Sequence, residues 1–154
     1  MLTILSRFDV AATIGFLGAI GLVLIARTLA PRRELLIYGV GLGITAIAYV
    51  LFGLQRGAPA HHLGLELVGA ALFGTAAVLG TRRWPALLAL GWTTHVIWDL
   101  FFHPTNPAFA PAWYPWFCVG FDLFLGGYIA GLLMGTQHVS DEVRRPVSRR
   151  TGVA

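Results

Sequence analysis

The sequence has 154 residues, of which 56% are hydrophobic and 12% charged, and its mean hydropathy is +0.73. A water-soluble domain carries about 25% charged residues, so the polar surface here is too small to cover a particle in water, and lipid has to cover the rest. The formal charge of +4 does not point to nucleic acid: all eleven basic residues are Arg, set in short clusters beside apolar runs, as the positive-inside rule expects.

Five apolar segments follow one another, each near the roughly 20 residues that cross a ~30 Å hydrocarbon core. The first covers about 10–26, uncharged between Asp9 and Arg27. It exceeds a signal-peptide core of about 7–15 residues and lacks a small-x-small cleavage site, so it reads as a retained span. The second covers about 35–54 and carries no charge. The third covers about 61–80 and contains Glu66. The fourth covers about 84–102 and contains His95 and Asp99. The fifth covers about 113–135 and contains Cys118 and Asp122. An open sheet would leave backbone groups unpaired in lipid, so the expected fold is all-α, an integral membrane bundle of five helices over residues 1–136. The rest, 137–154, is polar, basic and proline-containing, and reads as a disordered tail.

Charge gives an orientation. With five spans, Arg27, Arg32 and Arg33 fall on the same side as Arg82 and Arg83 and the tail's Arg144, Arg145, Arg149 and Arg150. Only Arg7 and Arg56 fall opposite. The expectation is N-terminus out and C-terminus in, in a cell membrane. Gly39 and Gly43, and the run Gly127, Gly131 and Gly135, have the spacing that lets helices approach closely. They serve packing within the chain, or association with a second copy or another membrane protein.

The polar residues inside these spans carry the functional signal. His95 and Asp99 are four apart and share a helix face, with His103 following at the same spacing; Pro104 disfavours helix at His103. His62 and Glu66 repeat the spacing at the outer end of the third span. Counting 1.5 Å per residue puts His95 and Asp122 at similar depth, roughly 12–13 Å from the same end. If the third to fifth spans pack together, all these groups meet in one pocket in the outer half of the membrane. A carboxylate at the bilayer centre costs about 2.5–3.5 kcal/mol, so each must protonate, pair with His or bind a cation.

Several chemistries fit. A divalent metal such as zinc suits nitrogen and carboxylate ligands, here His62, Glu66, His95, Asp99, His103 and Asp122. A proton relay uses the same groups. Acid–base catalysis on a lipophilic substrate would fall to His95, Asp99 and Glu66. The structural alternative is a His95–Asp99 or His95–Asp122 hydrogen bond that pins helices in a non-catalytic subunit or scaffold of a membrane complex. A small proton-coupled transporter is a further reading. Tyr49 and Tyr128 are candidate hydrogen-bond partners of the cluster. Trp98, Trp113, Tyr114 and Trp116 read as interface aromatics. The single Cys118 excludes an intrachain disulfide and any CxxC metal site, and reads as a packing residue.

The segment LGWTTHVIWDLFFHPTNP, followed by WYPWFCVGFDLFLGGY, resembles a group of small bacterial multi-pass membrane proteins with a late HxxWD motif. The matching residues are Gly91, Trp92, His95, Trp98, Asp99, His103, Pro107, Cys118 and Asp122, in about the last two spans. The resemblance implies a bacterial inner-membrane location and importance for the stretch from His95 to Asp122. It implies no reaction.

Overall fold

A computed structural model describes residues 2–102 and 110–144. Five α-helices make up the bundle: α1 Leu2–Leu29, α2 Glu34–Gln55, α3 Ala60–Arg82, α4 Pro85–Phe102 and α5 Tyr114–Arg144. No strand occurs among the described residues. Pro31–Arg33 forms one 3₁₀ turn between α1 and α2, with proline at its start, where the missing N–H has no helical partner to lose. The tight turn between α2 and α3 needs Gly57 at φ 65°, a conformation that costs glycine little. α5 runs past the expected boundary at residue 135, so the start of the polar tail continues the helix to Arg144.

Four segments are long and apolar enough to cross a membrane: Asp9–Leu29, Pro31–Gln55, Ala60–Arg82 and Tyr114–Gly135. α4 is not among them. It has 18 residues, and Thr93, Thr94, His95 and Asp99 dilute its apolar character. Its neighbours explain how it stays with the others: α4 packs along both α3 and α5, and touches α2. His95 and Asp99 are turned fully inward. Outward faces carry Leu29, Phe101, Ile44 and Met134, all more than 60% exposed, which suits contact with lipid.

Helix contacts run in series. α5 lies between α1 and α4, and α3 lies between α4 and α2. A core made from all five helices joins Ala19 and Val23, Leu42 and Ala46, Phe73 and Ala77, Leu88 and Trp92, and Leu125 and Ile129. Lipid tails are as apolar as these side chains, so close van der Waals fit and polar links must hold helices together. The α1–α5 seam shows the fit: a Cβ at Gly15 would collide with the Phe117 carbonyl, and one at Gly120 with the Ala12 carbonyl. Gly39 is covered by Thr81 and Ala77 of α3, whereas Gly43, Gly127, Gly131 and Gly135 have nothing within 4 Å of a Cβ position. Of the two spacings noted in the sequence, only the Gly39 position serves packing within the chain.

Candidate cation site between helices 4 and 5

The ends of the helices explain where the polar groups gather. The C-terminal halves of α2 and α4 and the N-terminal halves of α3 and α5 meet at one end of the bundle, away from the arginine turns. On α4, His95 and Asp99 are one turn apart and share a face. Asp122 comes to them from α5, and Tyr49 from α2.

His95 Nδ1 lies 2.7 Å from Asp122 Oδ2 and 3.4 Å from Asp99 Oδ2. The Tyr49 hydroxyl donates to Asp99 Oδ1 at 2.6 Å. With Asp122 ionised and therefore only an acceptor, the proton of this bond sits on His95 Nδ1; with Asp122 protonated, the roles reverse. His95, Asp99, Asp122 and Tyr49 are all 0% exposed. The network links α2, α4 and α5 through side chains alone.

It also leaves atoms over. His95 Nε2, Asp99 Oδ2 and Asp122 Oδ1 are buried without a hydrogen-bond partner among the described residues. Leaving a buried polar atom unsatisfied costs about 1–3 kcal/mol, more when it is charged. Here one imidazole faces two carboxylates, and the phenol satisfies one oxygen of one of them. One ligand atom from each of His95, Asp99 and Asp122 lies within 4.8 Å of those from the other two.

The surroundings are aromatic. Phe73 of α3 sets its ring edge against His95, with centroids 4.7 Å apart. Tyr49 packs edge-on against Tyr114 and Phe52. Cys118, one turn from Asp122, is buried. Such walls lower the local dielectric and strengthen any electrostatic interaction inside.

The structure places the remaining candidates elsewhere. Glu66 is buried on α3, but it lies outside the three-residue group; Trp98 Nε1 donates to its Oε2 at 3.3 Å. Trp98 is the residue beside Asp99 in sequence, so α4 offers the acid to one side and the indole to α3 on the other. Gly69 makes room for that indole: a Cβ there would stand 2.7 Å from its ring. Trp98 is thus half-buried between helices, not a free interface aromatic, whereas Trp113 at 55% and Trp84 at 53% exposure fit that role. His62 is half-buried at the start of α3, with its ring against His61 and outside the group. His103 lies outside the described residues.

A second polar cluster had no counterpart in the sequence reading. Glu34 Oε1 accepts from the Tyr38 hydroxyl at 2.9 Å and from the Tyr128 hydroxyl at 2.6 Å. Arg27 Nε stands 4.0 Å away. Tyr128 therefore serves the opposite end of the bundle from His95. The i,i+4 spacing of Glu34 and Tyr38 was the available signal; nothing local announces Tyr128.

Compared with protein-family models, curated proteins and solved structures, the chain matches none of them.

Proposed function

We propose that the chain is a multi-pass membrane protein that binds a divalent cation of the zinc type at His95, Asp99 and Asp122, taking it up in exchange for protons. The observation that carries this reading is the buried group itself: three ligand residues with atoms within 4.8 Å, each with a buried polar atom that has no hydrogen-bond partner among the described residues. Nitrogen with carboxylate oxygen is a donor set that zinc accepts. Charge supports it too. Two carboxylates, a neutral imidazole and a divalent ion sum to zero, the state that a hydrocarbon surrounding favours. Without the ion, protons must supply the missing positive charge, so binding releases protons. Tyr49 positions Asp99 from behind, in the way that outer partners orient metal ligands.

The positive-inside rule puts the arginine-rich end in the cytoplasm. On that reading the site lies in the outer half of a cell membrane, and a bacterial inner membrane fits the resemblance of the last two helices.

The 2.7 Å bond between His95 and Asp122 favours one rival, a polar pin that only ties α4 to α5. Elemental analysis of the protein purified in mild detergent separates the two. Cation binding predicts near-stoichiometric zinc in the wild type, lost in Asp99→Asn and Asp122→Asn and kept in Glu66→Gln. A pin predicts none in any of them, and that result would remove the proposal.

A further inference from the structure

The arginine-rich end holds a cavity of about 580 Å³, at the opposite end of the bundle from His95. Pro31, Arg32 and Arg33 line it together with Leu36, Leu132 and Leu133. We propose that it seats the anionic phosphate headgroup and upper acyl chain of a membrane lipid. This site is independent of the cation site in position and in residues.

Three observations carry the assignment. First, Arg32 and Arg33 are exposed and form no ion pair among the described residues, whereas Arg27 stands 4.0 Å from Glu34. Second, the carboxylate at the rim is Glu34, which two phenols and Arg27 already engage. Its charge is thereby tied down, and the neighbouring turn adds Arg82 and Arg83, so the end is positive. Third, the rest of the lining is mostly apolar, with Leu35, Leu36, Ile129, Leu132 and Leu133. A free inorganic anion has no use for that surface, but an acyl chain does. The volume falls in the range of about 300–1,000 Å³ typical of small-molecule sites. Juxtamembrane arginines each contribute attraction to anionic headgroups, so two of them discriminate an anionic from a zwitterionic lipid by on the order of tenfold.

Native mass spectrometry of the full chain, loaded with equal amounts of dioleoyl phosphatidylglycerol and dioleoyl phosphatidylcholine, tests this. The expected result is preferential retention of phosphatidylglycerol by the wild type and equal retention by the Arg32→Gln/Arg33→Gln double variant. Both arginines are exposed, so the variant keeps its fold, which helix content by circular dichroism checks. A tail variant with Arg144, Arg145, Arg149 and Arg150 changed to Gln should keep the preference. Loss of preference in the tail variant, or an unchanged preference in the double variant, would overturn the proposal. Displacement of the lipid by millimolar inorganic phosphate would assign the site to a free anion and overturn it equally.

Discussion

The two polar clusters, at opposite ends of the same bundle, are built from similar parts and differ in balance. At the arginine end, one carboxylate receives two phenolic hydroxyls and has a guanidinium 4.0 Å away. Donors outnumber the acceptor charge, and the side chains reach the edge of the bundle. At the other end, two carboxylates compete for one imidazole nitrogen, one phenol helps, and everything is sealed. Three atoms are left over there among the described residues. The first cluster leaves no buried side-chain atom unpaired among those residues. The second is short of positive charge in a place where charge is expensive. That deficit, more than the mere presence of His and Asp, is what the proposed cation site rests on.

Substitutions can break this contrast. His95→Ala should have the largest effect, about 3–5 kcal/mol, because it strands two buried carboxylates. Unfolding in mixed micelles with rising dodecyl sulfate reads it. Changing His95, Asp99 and Asp122 together to Leu should recover most of that loss, since an apolar core of similar volume tolerates the site where a half-removed network does not. A triple variant as unstable as His95→Ala would show that the cost lies in packing, not in charge. Tyr49→Phe comes next, at about 1–3 kcal/mol, since it removes the donor to a buried oxygen of Asp99 and little volume. It should also weaken zinc retention, which a purely structural tyrosine would not do. Glu34→Gln should be the mildest, at about 1 kcal/mol or less, because the amide oxygen still accepts from both phenols. Zinc content in that variant should equal the wild type's; a loss there would mean that the two ends are not separate.

Much of the framework was legible in the sequence because membrane helices announce themselves by length and hydropathy. The five helices fall where apolar runs predicted them, and the i,i+4 spacing put His95 and Asp99 on one face. Depth counting matched Asp122 to His95, since antiparallel neighbours with known ends leave one free coordinate. What that counting cannot supply is rotation about each helix axis. Glu66 has a suitable depth, yet α3 turns it to Trp98, and no periodicity on α3 alone distinguishes that outcome from the pocket. Tyr49 and Tyr128 illustrate the same gap: both were candidate partners, and packing sends one to Asp99 and the other to Glu34. α4 was harder for another reason. Its polar residues lower the hydropathy that identifies a span, and only the neighbouring helices show that they face inward.

On the proposed function, His95, Asp99 and Asp122 lack positive charge that a divalent ion supplies. Calorimetric titration of the metal-stripped protein with zinc, in two buffers of different ionisation enthalpy, measures stoichiometry and proton release together. About one equivalent of zinc should bind per chain with release of at least one proton, both abolished by the Asp99→Asn/Asp122→Asn double variant. Absence of binding in a wild-type protein that remains folded would contradict it, as would binding that the double variant retains.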